Sequence, residues 1–284
     1  MKDQVARMGV LYQEHLCLGA TFAPSYEGDV MRVSSYPSEK GGAIDPKAAY
    51  LADLTGSTYE LISGEASQAL AEAFFCGKKL AVGECSWEAS LTAEGALTSV
   101  PLVGRTGRDE YVMIDPSPRG DVASAWLGFI SSIEQDGYAP YADAQVEDAT
   151  GMLTPLLLAG NAARAVLTDY VERPRDLPAP GTVRNVRLDR IATVSMGLRL
   201  PGAPDLPAYV LLVPTTKAGT LWRSFLSFGE VEPVGSDALG SALRSLTPWG
   251  DDLFEKDQVK PGAERLISAG ILRTERDFIG ARGL

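Results

Sequence analysis

Residues 51–70 read LADLTGSTYELISGEASQAL and residues 156–167 read LLLAGNAARAVL. Set glycine on glycine, Gly64 over Gly160, they look like two copies of one strand–glycine–helix unit. In the first, Tyr59 to Ile62 make a short β-type run. Beyond the glycine, Ala66, Ala69, Leu70, Ala73 and Phe74 recur at the spacing of one helix face. In the second, Leu156 to Leu158 lead into Gly160, and Ala163, Val166, Leu167 and Tyr170 repeat the spacing. A weaker third pair is YVLLVP, Tyr209 to Pro214, before a helix carrying Ala218, Leu221, Trp222, Phe225 and Leu226. Between them SWEASLTAEGALTSVPLV (86–103) reads as a hairpin turning at Glu94–Gly95, and VGRTGRDEYVMID (103–115) as one turning within Gly104 to Asp109. Strands and helices mixed without strict βαβ alternation indicate the α+β class. The Pro-rich stretch VERPRDLPAPG (171–181) reads as a loop, either between layers or along the surface.

Composition narrows the chemistry by exclusion. The chain has 284 residues, the length of one or two domains. Its 37 Asp plus Glu against 26 Lys plus Arg give a net charge of −11. An acidic excess without a Lys/Arg block argues against nucleic acid or an anionic membrane as the main partner. There is one histidine, His15, so a His-rich metal site is ruled out and any Ser-His or Cys-His pair would have to use it. Spaced helically between Leu11 and Leu18, His15 reads as a helix-face residue, with Cys17 as a core thiol. Cys17, Cys76 and Cys85 form no CxxC, which fits a reduced, cytoplasmic setting. No window approaches the ~18 apolar residues of a membrane span, and the start has no signal-peptide core. Walker, GxGxxG, GxSxG and HExxH motifs are all missing. Gly104 and Gly107 read as hairpin residues rather than a phosphate loop. Asp251–Asp252 and Asp143–Glu147 can chelate a hard cation, but a solvated turn and a solvated helix face are the stronger readings.

Motif order adds what single motifs lack. LYQEHLCLGATFAPSYEGDVM (11–31) resembles the LY-x-x-H-x-x-LGA opening of the aminomethyltransferase family, the glycine-cleavage T-protein and its folate-binding relatives. Residues 51–70 are similar to that family's LFDLSHMGEIEVTGPDAxxFL, and VGECSWEASLTAEGALTSVPLV (82–103) to its GxARYTxxLNxxGGxxDDLxV hairpin. DEYVMIDPSPRGDVASAWL (109–127) follows its strand ending in Asn-Ala-Asn, and 156–167 its LxxLQGPKAxxVL. YVLLVPTTKAGTLWRSFL (209–226) follows EIxVPxxxAxxLWxxLL, and ERLISAGILRTERDFIGARGL (264–284) the closing DFIGRxAL. Seven pieces in the correct order span nearly the entire chain.

The resemblance implies two ferredoxin-like α/β domains related by a pseudo-twofold: a discontinuous first domain, 1–50 plus 150–284, and an inserted second, 51–149. The family's C-terminal β-barrel is expected to be absent, because the sequence stops where the barrel would begin. It also implies tetrahydrofolate as cofactor, sharing a channel between the domains with a small methyl or aminomethyl donor, and a separate barrel or corrinoid subunit as partner. Several family residues are replaced. Ser99 and Val100 stand at the hairpin's acidic positions, and a hydroxyl is too weakly basic to replace a carboxylate unaided. The pteridine-binding Glu falls at about Val210 and the folate-binding Arg at about Leu239, and neither side chain can clamp a pterin. What remains as a candidate site is Ser99 and Asp115 for catalysis, with Trp87, Arg119, Tyr209 and Arg244 for cofactor binding. Trp87 can stack on a flat ring or pack as an ordinary aromatic. Asp115 with Arg119 is an acid and anion-binding pair or a strand-to-helix cap. Arg244 follows the lost Arg, and Glu264–Arg265 reads as a surface pair. Two functions follow: a folate-dependent one-carbon transferase, in a demethylase-type subunit on one branch of the family, or a catalytically silent folate-fold subunit for binding or assembly. No metal ligand set is expected.

Overall fold

A computed structural model of the chain describes residues 7–26, 28–39, 47–255 and 259–284. It is of the mixed α+β class, in two compact units. The first comprises Met1–Gly56 with Thr150–Leu246, the second Ser57–Ala149 with Thr247–Leu284. Among the described residues no sheet closes into a barrel.

The first unit is built on six strands in the order Thr182–Leu188, Ile191–Gly197, Ala208–Pro214, Leu153–Ala159, Ala49–Asp53, Val231–Pro233. Neighbours are antiparallel except the last pair, which is parallel. Helix Ala163–Thr168 follows strand Leu153–Ala159, and helix Thr215–Phe225 follows Ala208–Pro214. Their apolar stripes bury Val166, Leu167, Leu221, Trp222 and Phe225 against Leu51, Leu156, Leu158 and Leu211. Each such side chain stabilises the fold by roughly 1.5–3 kcal/mol when fully buried.

The second unit is built on five antiparallel strands in the order Gln145–Asp148, Thr58–Ser63, Glu110–Asp115, Leu102–Gly107, Cys85–Trp87. Helices Ser67–Phe74 and Gly120–Ser131 cover it, packing Leu70, Phe74, Leu127 and Ile130 on Ile62, Val103 and Met113. The two aligned glycines have a concrete cause. Gly64 has φ +97° and Gly160 φ +131°, and a Cβ would lie 2.2 Å from Asp143 O and 2.5 Å from Ala48 O respectively. Only glycine supplies both the left-handed backbone and the space.

Several expectations are corrected. Residues 247–284, assigned by sequence to the first domain, group with the second unit. Val259 O accepts from Leu97 N, Cys76 O from Arg273 N, and Ala73 O from Ile279 N. The Arg273 guanidinium also donates to the carbonyls of Glu72, Phe75 and Gly77. The hairpin of 86–103 is split: Ser90–Leu91 and Leu97–Ser99 form a separate two-stranded sheet around Gly95, while its outer segments join the five-stranded sheet. Gly104 lies inside a strand, paired with Val112 and Cys85, so the next turn is at Arg108–Asp109. Cys17 is exposed rather than a core thiol. His15 does lie on a helix, Tyr12–Cys17, as its buried residue. Arg265 pairs with Asp252 at 2.8 Å instead of with Glu264. No helix among the described residues is long and apolar enough to cross a membrane.

Candidate functional site

In the second unit the chain reverses from strand Glu110–Asp115 into helix Gly120–Ser131, and the reversal is organised by Asp115. Its Oδ1 accepts from Ser117 N at 2.9 Å, an Asx-type turn that the sequence Asp-Pro-Ser favours. Its Oδ2 accepts from Ser99 Oγ at 2.5 Å, and Ser99 Oγ lies 3.3 Å from Ser117 Oγ. Ser99 reaches Asp115 because it ends the short strand Leu97–Ser99. Gly120 keeps the turn tight, since a Cβ there would approach Thr58 Oγ1 to 2.4 Å and Asp115 Cβ to 3.1 Å.

Ser99 is 0% and Asp115 1% exposed. Burial pushes the Asp115 carboxyl above the usual carboxylate range, and the hydrogen bonds from Ser117 and Ser99 only partly oppose it. None of those donors carries a charge. The cluster is therefore a buried carboxyl biased toward its protonated form and coupled to one hydroxyl. Arg119 follows at the helix start, where its backbone N–H donates to Ser117 Oγ and its guanidinium to Glu255 O at 3.0 Å. Trp87 faces Trp249 with ring centroids 6.2 Å apart and planes at 54°. Trp249 is 2% exposed, and no hydrogen-bond partner meets its Nε1 among the described residues.

Four of the six candidate residues, Ser99, Asp115, Arg119 and Trp87, thus belong to the second unit, and three of them to one cluster. Tyr209 and Arg244 belong to the first. Tyr209 lies 4% exposed in the core of that unit, with its hydroxyl accepting from Arg164 at 3.1 Å. Arg244 is exposed in the last turn of helix Ser236–Leu246. At the two positions where the resemblance would put a pterin clamp, Val210 is a buried sheet residue and Leu239 a half-buried helix residue. Among the described residues no group of His, Cys, Asp and Glu could hold a metal ion.

Sequence reading missed a second polar cluster, in the first unit. His15 Nε2 meets Asp53 Oδ2 at 2.9 Å, and His15 Nδ1 meets Tyr36 OH at 2.7 Å. The Trp222 ring lies edge-on to the imidazole at 4.9 Å. Burial, reinforced by the Asp53 and Glu39 carboxylates, pushes the Tyr36 phenol far up. A signal was present: Asp-x-Thr at 53–55, like Asp-x-Ser at 115–117, closes a strand-like run.

No protein-family model matches the sequence, and no curated protein does. Solved structures do match. Aminomethyltransferase T of the glycine cleavage system from Bartonella henselae aligns with a TM-score of 0.74 at 17% identity, over 98% of this chain and 74% of that one. Heterotetrameric sarcosine oxidase from Corynebacterium sp. U-96, crystallised with pyrrole 2-carboxylate, aligns with a TM-score of 0.43 at 20% identity, over 65% of this chain and 85% of that one. The chain has the fold of aminomethyltransferase T.

Proposed function

We propose that this chain, sharing the fold of aminomethyltransferase T, is a tetrahydrofolate-dependent one-carbon transferase of aminomethyltransferase type whose acid is Asp115 acting through Ser99. The observation that carries the reading is the Ser99 Oγ–Asp115 Oδ2 hydrogen bond. By resemblance Ser99 stands where the family has its hairpin carboxylate, and a hydroxyl alone would be too weak. Asp115 restores the carboxyl one hydrogen bond further back, held toward its protonated form by burial.

Tetrahydrofolate supplies, when bound, the nitrogens that carry the one-carbon unit. The residues at positions 210 and 239 do not fit a pterin clamp. The aromatic surface this reading offers a flat heterocycle is the Trp87–Trp249 pair, where Trp249 Nε1–H has no hydrogen-bond partner among the described residues. Arg119 lies beside the cluster and suits an anionic group. Asp115 holds a proton, Ser99 shares it, and Ser117 fixes the carboxyl orientation. The ferredoxin-like description of each unit and their pseudo-twofold relation belong to the same proposal. They rest on the repeated strand–glycine–helix pattern and on the 4-1-3-2 strand order of the second unit, taken over Thr58–Ser63, Leu102–Gly107, Glu110–Asp115 and Gln145–Asp148.

Equilibrium binding of tetrahydrofolate to the purified chain tests the reading. Measurable binding that survives Asp115→Asn, with one-carbon transfer that does not, is expected; no binding at millimolar folate overturns it. One observation favours a second reading, a catalytically silent binding or assembly subunit: the full burial of Ser99 and Asp115. Binding of folate with no transfer to any methyl or aminomethyl acceptor, unaltered by Asp115→Asn, selects that reading.

A further inference from the structure

A different pair of buried polar atoms, unused by the reading above, lines a small cavity in the second unit. Glu88 is 1% exposed and Tyr111 2% exposed. Neither Glu88 Oε2 nor Tyr111 OH has a hydrogen-bond partner among the described residues. Both residues line one cavity of about 10 Å³, whose apolar walls are Ala71, Phe75, Leu80 and Val103. That is room for one water-sized centre.

The Glu88 carboxyl is partly supported. Ser86 Oγ donates to its Oε1, and the amides of Gly77 and Lys78 come near enough to favour the charged form without being aligned with Oε2. A Cβ on Gly77 would sit 2.2 Å from Oε2, so this approach requires glycine. The nearest cation, Arg273, also favours the charge, but its donors are spent on Asp277 and on the carbonyls of Phe75, Gly77 and Glu72. The rim lysines are engaged too, Lys78 with Glu84 and Lys79 with Glu72 and Asp277. Burial outweighs these contributions and pushes Glu88 up to about 8, so it stays protonated at neutral pH.

We propose that this cavity is a binding site for an ammonium ion, seated between Glu88 Oε2 and Tyr111 OH. Both oxygens accept hydrogen bonds, the ion carries only donors, and it is the size of the one centre the cavity holds. The cation supplies the charge the carboxyl lacks. Bound near neutral pH, it displaces the Glu88 proton to solvent, and it displaces progressively less of one as pH rises through 8.

Titration calorimetry of the full chain with ammonium chloride, in buffers of different ionisation enthalpy, tests this. The expected result is binding with release of up to one proton near neutral pH and a smaller release at about pH 8, and no binding of tetramethylammonium or sodium. Glu88→Gln should weaken binding by at least about tenfold and Tyr111→Phe by roughly fivefold. The phenylalanine variant removes only an unsatisfied hydroxyl, so it should fold as well as the parent. An equal response to all three chlorides, binding without proton release, or unchanged affinity in both variants overturns the proposal, and leaves the folate reading untouched.

Discussion

Strand Ala49–Asp53 of the first unit and strand Glu110–Asp115 of the second both end in an aspartate that folds back on its own chain. Thr55 N donates to Asp53 Oδ1 at 2.9 Å and Ser117 N to Asp115 Oδ1, also at 2.9 Å. The free oxygen is where they part. Asp53 Oδ2 meets the His15 imidazole, whose other nitrogen is engaged with Tyr36, whereas Asp115 Oδ2 meets the hydroxyl of Ser99. The imidazole ties its carboxyl to a second side chain, whereas the hydroxyl leaves its carboxyl among neutral donors. The same turn therefore serves as a lock in one unit, with ring packing on Trp222 behind it. In the other it is a proton store, since a buried carboxyl with neutral donors is driven toward its acid form.

If that contrast is right, removing the partner should cost more at the lock. His15→Ala leaves Asp53 Oδ2 and Tyr36 OH without their ring-nitrogen partners in a buried site and empties space against Trp222, so it should destabilise the chain by about 3–5 kcal/mol. Ser99→Ala leaves Asp115 Oδ2 without a donor, but that carboxyl can protonate, so about 1–3 kcal/mol is expected. Urea denaturation of both variants at neutral pH measures the difference. Equal losses would make the two strand ends energetically equivalent and remove the distinction.

The fold was legible where local pattern and backbone geometry coincide. Gly64 and Gly160 mark positions that only glycine can fill, and the helices behind them carry their apolar stripes at helical spacing. Ser99 and Asp115 were also singled out, though from motif order, and their contact joins residues on different strands. The partner of His15 was not legible because Asp53 lies 38 residues away, on a strand whose pairing no local spacing reveals. The placement of 247–284 failed for a related reason. One arginine, Arg273, ties that segment to the carbonyls of Glu72, Phe75 and Gly77, and backbone carbonyls leave no trace in side-chain patterns. Glu88 was not singled out, since burial of a carboxyl is a tertiary fact.

The smallest effect is the sharpest test of the proton store. Asp115→Asn keeps an acceptor for Ser117 N and gives Ser99 Oγ a donor, so at neutral pH it should change stability by no more than about 1 kcal/mol. Its signature lies in the pH dependence. Asp115 is raised in the folded chain above its unfolded value of about 4, so between the two the folded state holds the extra proton. Its contribution to stability is complete below about pH 4 and is lost as pH rises through the folded pKa. Asparagine has no such term, while Glu88 titrates in both proteins and cancels in the difference. Parent minus variant stability, measured by urea denaturation at a series of pH values, should therefore fall as pH rises above about 4 and then level off. A difference curve that rises with pH would mean Asp115 is held ionised, as a salt-bridged aspartate would be, and a flat one would mean that burial leaves its acidity unchanged. Either outcome would take the proton away from the Ser99–Asp115 pair and with it the acid of the proposed transferase.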